Sequence, residues 1–210
     1  MKIINDLEWR YACKKFDKER KLSQTQIELL KNAFNLTATS FGLQPIKMIV
    51  VKEDVTKEAL FPHTYYQQQT TTCSHLLGIC IDTGFNLDSI DAYFDLEKRT
   101  RGTSEDIIGK FRKELKDLYG KWEPAKVEAS SIYQAYIALG NLMTVCAHEK
   151  IDCCPMEGFI PDKVDEVLDL KKHNLRSVLL LPVGYRAKDD IMNNMKKVRR
   201  QLSEVIIEID

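Results

Sequence analysis

The sequence predicts an α+β fold in which helices cover a small sheet. Helical patterns outnumber strand signals along the chain, and the strand signals at 46–52, 76–82 and 177–182 are scattered, short and nearly all apolar, as buried strands are. Residues 129–150 are apolar almost all round, as a central helix is. The 210 residues carry 31 Lys+Arg against 31 Asp+Glu, with 44% hydrophobic residues. A chain of that length buries a core without staples and reads as one domain, 1–210. Balanced charge excludes a strongly basic nucleic-acid binder, and the apolar fraction excludes general disorder. A net count leaves room for a local basic site.

In chain order, residues 10–16 form a basic turn after a short helix. Ser23-Gln24-Thr25-Gln26 is a capping box that opens the next helix, with Ile27, Leu30 and Phe34 as its apolar stripe. That helix is expected to end near Thr37, before the loop 38–45 and the strand 46–52. The strand 76–82 closes on Thr83-Gly84. Residues 88–123 form a charged helical excursion holding Phe94, Phe111 and Leu115, broken at 100–104 and closed by Trp122-Glu123-Pro124. In the helix 129–150, the small residues Ala138 and Gly140 suit close approach by another element. A short strand and turn at 151–159, a helix at 161–170, the strand 177–182, a basic segment 196–200 and a closing strand at 205–209 complete the chain.

None of the six cysteines forms a CxxC pair, and adjacent Cys153-Cys154 are poorly spaced for zinc, so no metal site is expected. Cys73, Cys80 and Cys146 read as buried thiols. There is no apolar run long enough for a signal peptide or a membrane span, and the expected compartment is the cytoplasm. GxGxxG and GxxxxGK[ST] phosphate loops are absent, and His63, His75, His148 and His173 are scattered singly, which favours structural roles. The five-residue basic segment sits in a neutral chain and makes a poor RNA or membrane patch.

Five short segments, taken in order, carry more than composition does. They are Arg10-Tyr11-Ala12-Cys13-Lys14-Lys15-Phe16; Thr39-Ser40-Phe41 with Gln44-Pro45; Tyr65-Tyr66-Gln67-Gln68-Gln69 leading into Ser74-His75; Pro155-Met156-Glu157-Gly158-Phe159; and Lys197-Val198-Arg199-Arg200. In this order and at these separations the chain resembles the nitroreductase family of FMN-dependent NAD(P)H oxidoreductases over essentially its whole length.

The resemblance implies an α+β nitroreductase-like fold with a mainly antiparallel sheet flanked by helices. It also implies a homodimer that exchanges C-terminal strands and binds FMN at its interface, with 88–123 covering the active site. Arg10, Lys197 and Arg199 would hold the FMN phosphate, which calls for charge-assisted donors. Tyr11 and Ala12 would lie beside the cofactor, and Lys14 near the flavin N1/O2 edge, where negative charge gathers on reduction. Thr39, Ser40 and Phe41 would come from the partner chain. Pro155, Met156, Glu157 and Gly158 would line the ring, the last two offering backbone N–H groups near N5, so that no side chain acts as nucleophile. Gln69 would reach the polar edge of the ring. Ala12 departs from the Ser common in the family, and Tyr66 from the usual Asn, which removes hydrogen bonds to the cofactor.

The implied reaction is ping-pong: NAD(P)H reduces the flavin, which then reduces a nitroaromatic, a quinone or a similar small acceptor. Two other readings stand beside it. One keeps FMN but specialises the reaction through 88–123; the other is a non-catalytic FMN-binding protein, motivated by Ala12 and Tyr66.

Overall fold

The computed structural model describes residues 2–209. Its regular elements are α1 (Lys2–Trp9), α2 (Gln24–Asn35), β1 (Ile46–Val51), α3 (Asp54–Leu60), α4 (Gln69–Thr72), β2 (His75–Asp82), α5 (Leu87–Arg101), α6 (Glu105–Tyr119), α7 (Pro124–His148), β3 (Asp152–Cys153), α8 (Pro161–Val167), β4 (Leu175–Gly184) and α9 (Leu202–Val205), with 3₁₀ turns at Ser40–Gly42, Phe61–Thr64 and Leu170–His173. The four strands form one antiparallel sheet in the order β1-β2-β4-β3.

β2 lies at the centre of the sheet. It pairs with β1 from Ile46↔Ile81 to Val51↔Leu76, and with β4 from His75↔Val183 to Asp82↔Leu175. The second register slips by one residue between Ile79 and Cys80, leaving Val178 as a bulge on β4. Alternation along β2 then feeds two cores. Leu77, Ile79 and Ile81 face α7, packing with Leu179, Leu181 and Val183 against Ala135, Ala138, Leu142 and Cys146, with Ile27 and Leu30 of α2 behind. Leu76 and Leu180 point to the other face, among Phe16, Leu60, Met156, Phe159 and Val164. A sheet covered on both faces accounts for the continuous apolar runs of β2 and β4.

Local signals produce the expected elements. Ser23 and Gln26 cap each other at the start of α2, which ends at Asn35. Gly102 takes φ +70 and separates α5 from α6. Ala138 is buried against the sheet, whereas a Cβ on Gly140 would meet nothing within 4 Å. All six cysteines are free and buried, and burial pushes the Cys73 and Cys80 thiols up to about 12.

Three expectations need correction. α7 begins at Pro124, five residues before the periodic stretch, because Pro suits the first helical position where no N–H is needed. β1 is an edge strand, so Lys47 is exposed and Met48 to Val50 are only half buried. The closing strand at 205–209 is not formed within one chain: Gln201 and Glu204 form a capping box that opens the short α9, and Ile206, Ile207 and Ile209 lie exposed. Among the described residues no strand pairs with that segment.

Short bridges extend the sheet where the chemistry-bearing residues lie, one of them joining Phe16 to Arg186. Ala12 bridges Cys153 in parallel, and Met156 bridges Leu180. The 10–16 segment is thereby fixed to β3, and the turn after β3 to the middle of β4.

Candidate functional site

The chain on either side of Arg10 is clamped. The Arg186 guanidinium sits 4.2 Å from the Trp9 ring centroid and 4.5 Å from that of Tyr11, and its Nε donates to Asp152 Oδ1 at 2.7 Å. The Arg186 backbone N–H donates to the other oxygen of the same buried carboxylate at 2.8 Å. At the end of α7, the buried Asp6 of α1 accepts from Lys150 Nζ at 2.5 Å and pairs with His148 Nδ1 at 3.0 Å. Two aromatic rings and two buried acids thus fix where the 9–12 segment runs.

Into this frame comes the basic segment from the other end of the chain. Lys197 Nζ donates to the Arg10 carbonyl at 2.5 Å. Burial lowers the Lys197 pKa, and the neighbouring Arg10 and Arg199 charges lower it further. Arg10 Nε and Tyr11 Oη are buried and have no hydrogen-bond partner among the described residues. These groups surround a cavity of about 520 Å³ lined by Arg10, Ala12, Arg186, Met192, Lys197 and Arg199, with Glu8 the one acid among its lining residues. Like charges that repel one another around a cavity, with a buried donor left unsatisfied, fit an anion such as the FMN phosphate.

Lys14 lies four residues further along the same irregular segment. The buried Asp190 carboxylate accepts from the backbone N–H of Lys14 at 2.6 Å and of Lys15 at 2.8 Å, and from Cys13 Sγ at 3.3 Å. Its second oxygen accepts from the Met192 N–H at 2.8 Å. The Lys14 ammonium stands 3.7 Å from Cys154 Sγ and has no carboxylate partner among the described residues.

After β3, Met156 sends its side chain into the second core and Pro155 is half buried. The Glu157 and Gly158 N–H groups make no backbone hydrogen bond among the described residues, which leaves two adjacent donors open. The Gly158 carbonyl accepts from Gln67 Nε2 at 2.8 Å, and Gln67 Oε1 accepts from Gln69 Nε2 at 2.8 Å. Gln69 is buried, so its amide reaches this peptide through Gln67. Tyr65 and Tyr66 carry left-handed φ values of 52 and 54, and the Tyr66 ring packs edge-on against Phe61 at 5.4 Å. Glu157 also faces α7: partial burial and the Glu157 carboxylate together raise the Tyr136 phenol.

Thr39, Ser40 and Phe41 lie elsewhere in the chain. The Ser40 N–H donates to Gln134 Oε1 at 2.8 Å, and Thr39 Oγ1 accepts from the Gln44 N–H at 3.1 Å. Phe41 has φ 58, and its ring lies 6.2 Å from Phe111 and 6.5 Å from Tyr119 of α6. No hydrogen bond or ring contact joins 39–41 to Arg10, Lys14 or Glu157 among the described residues. Within one chain the expected site is therefore in two parts.

Sequence reading missed Asp190, the Asp152–Arg186 pair and the part played by Gln67. Each acts on backbone or side chains far away in sequence, and a lone acid or amide in a polar segment gives no periodic signal. The one available hint was Asp189-Asp190 just ahead of the basic segment.

Comparison with known proteins places the chain by sequence and by fold. The chain matches the nitroreductase family over residues 7–73 and 113–185. It is 28% identical over 216 aligned residues to the major NAD(P)H-flavin oxidoreductase of Aliivibrio fischeri, covering 97% of each chain. It is 31% identical over 212 residues to a Staphylococcus haemolyticus protein named as an NAD(P)H nitroreductase, covering 97% of this chain and 95% of that one. A Bacillus subtilis nitroreductase structure superposes with a TM-score of 0.87 at 16% identity over 98% of both chains. A nitroreductase structure from Exiguobacterium sibiricum in complex with FMN superposes at 0.84 with 18% identity, covering 99% of this chain and 97% of that one. In sequence and in fold, the chain belongs to the nitroreductase family.

Proposed function

We propose that the protein is an FMN-dependent oxidoreductase that takes hydride from NAD(P)H and reduces nitroaromatics, quinones or similar small acceptors in ping-pong fashion. The observation that carries this reading is the convergence of Arg10, Lys197 and Arg199 on one cavity, with Arg10 Nε buried and unsatisfied. The names of the A. fischeri and S. haemolyticus relatives and the FMN held by the E. sibiricum neighbour support it. Bound there, FMN supplies reversible two-electron chemistry.

The chain's own residues position and stabilise. Arg10, Lys197 and Arg199 neutralise the phosphate. Lys14, without a carboxylate of its own, offsets negative charge at the pyrimidine edge of the ring. The open N–H groups of Glu157 and Gly158 donate near N5, and Gln67, tied to Gln69, fixes the orientation of their peptide. The aromatic cluster of Phe41, Phe111 and Tyr119 excludes water from the acceptor side. Tyr11, Ala12, Pro155 and Tyr66 complete the lining.

The working unit we infer is a homodimer of single-domain chains in the reducing cytoplasm, where the six thiols stay free. Tyr133, Tyr136 and Ile137 of α7 and Ile3 and Ile4 of α1 leave apolar surface exposed, as do Ile206, Ile207 and Ile209 of the tail. A second copy that accepts this tail as a strand covers that surface and brings its own Thr39, Ser40 and Phe41 to the cavity. The other reading, a specialised or non-catalytic FMN protein, rests on Ala12, which offers no side-chain donor, and on Tyr66, which is 68% exposed and packed on Phe61.

Anaerobic addition of NADH and of NADPH to the purified yellow protein separates the readings. Bleaching of the flavin band, followed by reoxidation with a quinone or nitroaromatic, is the expected result. Tight FMN binding with no bleaching by either nucleotide would sink the reductase reading in favour of the non-catalytic one.

A further inference from the structure

Asp190 is among the few charged residues of this chain that are almost fully buried, and among the described residues no side-chain cation pairs with it. At 5% exposure, its carboxylate is satisfied by four donors: the N–H groups of Lys14, Lys15 and Met192, and Cys13 Sγ. Burial pushes the Asp190 carboxyl up, and the donors from Lys15, Met192, Cys13 and Lys14 outweigh it, holding the carboxyl below its usual range. The acid therefore stays ionised at neutral pH, and each N–H bond to it is charge-assisted.

Its position matters as much as its charge. The Lys15 carbonyl accepts from the Ala187 N–H at 3.0 Å, and the Asp190 N–H donates back to the Ala187 carbonyl at 3.2 Å. Asp190 therefore heads the turn that leads toward Lys197 and Arg199 while its side chain grips the segment carrying Lys14. Two successive N–H groups aimed at one oxygen fix the backbone on both sides of the Lys14 side bond, and hence the direction in which the Lys14 stem leaves the chain. Its neighbour Asp189 is exposed and, among the described residues, its side chain pairs with Lys15 alone.

The geometry points to Asp190 as a positioning residue: by anchoring the Lys14 and Lys15 backbone, it aims the Lys14 ammonium at the flavin N1/O2 edge. This rests on the FMN-oxidoreductase reading above, and Asp190 itself touches neither cofactor nor substrate.

Asp190→Asn is the informative change, because it nearly preserves shape. One carboxylate oxygen becomes an NH₂ that must face either the Met192 N–H or the Lys14 and Lys15 pair, donor against donor. The wild-type protein is first loaded with FMN and reduced with each nicotinamide; failure at that point counts against the functional reading and not against Asp190. If Asp190 works through Lys14, Asp190→Asn lowers the two-electron midpoint potential by about tenfold in the reduction equilibrium, ~30 mV. In a Lys14→Met background the same change does not lower the potential. Asp189→Asn leaves the potential at the wild-type value. In the flavin-free protein, the Lys14 and Lys15 amide protons move upfield in Asp190→Asn, a readout independent of turnover.

A direct charge effect has the opposite sign, since removing a buried anion favours the reduced, more negative cofactor. A potential that rises equally with and without Lys14, or that does not move, overturns the proposal. Should the Asn variant not accumulate, the same cycle is run with Asp190→Glu, which keeps the charge but displaces the carboxylate. Additive effects of Asp190→Glu and Lys14→Met on the potential would refute the assignment.

Discussion

Lys197→Met separates ligand binding from folding, because the structure gives the two effects different sizes. In the flavin-free chain, Lys197 makes one exposed hydrogen bond to the Arg10 carbonyl, and it is repelled by Arg10 and Arg199. A bond of that kind contributes at most about 1 kcal/mol. Removing the ammonium also relieves the repulsion, so the thermal midpoint of the flavin-free protein is expected to stay within about 3 °C of wild type. With a phosphate in the cavity the balance reverses. Loss of one of three cations removes a charge-assisted hydrogen bond to a dianion, worth about 2 kcal/mol, or roughly thirtyfold in Kd. Riboflavin, which has no phosphate, should bind wild type and variant alike. Flavin fluorescence quenching on titrating flavin-free protein with FMN and with riboflavin measures both. Equal weakening for the two ligands, or an unchanged FMN affinity, refutes the assignment of this cavity to the phosphate.

Three further outcomes test the fold around the site. His75 is buried beside Ser74 Oγ, and burial followed by the Lys57 charge lowers its pKa from 6.5 to about 4. The unfolded chain then takes up a proton that the folded chain refuses, so stability is full above the unfolded pKa and falls as pH drops from about 6.5 toward 4. Urea titrations at fixed protein concentration should show about 2 kcal/mol lost between pH 7 and pH 5, with His75→Gln flattening that slope; an unflattened slope assigns the loss to other groups. Leu142→Ala opens a hole between α7 and the sheet at a fully buried position and should cost about 3 kcal/mol by equilibrium unfolding, a loss under 1 kcal/mol being incompatible with the packing. At Gly42, φ is +75 and a new Cβ would lie 2.7 Å from Tyr93 Oη, so Gly42→Ala should cost more than about 1 kcal/mol, only part of which Tyr93→Phe recovers.

Those elements whose signals are local were legible in the sequence. The Ser23–Gln26 box starts α2, Gly102 divides the hairpin, and the apolar runs of β2 and β4 identify strands covered on both faces. Legibility fails where a residue's role depends on what it meets. Pro124 reads as the close of the excursion, yet it opens α7 because Pro satisfies a helix N-terminus as readily as it ends a helix. The tail at 205–209 has strand composition, but composition carries no information about which sheet edge is within reach. Arg10, Lys14, Lys197 and Arg199 could be named from short motifs. Asp190 and Arg186 could not, since each works through contacts that only the tertiary fold creates.

The neutral total of 31 basic and 31 acidic residues makes the basic cavity a question about where the acids go. Around the site, three buried acids are committed to other partners. Asp152 is held by the side chain and backbone of Arg186, Asp190 by four donors on the Lys14 and Met192 segments, and Asp6 by His148 and Lys150. Glu8 alone acts on Lys197, and its effect is smaller than those of burial, Arg10 and Arg199. The three buried acids thus stabilise the backbone around Arg10, Lys197 and Arg199 without pairing with those three cations, and Glu8 offsets Lys197 only in part. An anion entering the cavity therefore meets a field that Glu8 offsets only in part, beside a 9–12 segment held in place by Arg186 and Asp152. That arrangement favours a ligand of fixed double negative charge over a neutral one of the same shape, and it explains why the two ends of the chain had to meet at this point of the fold.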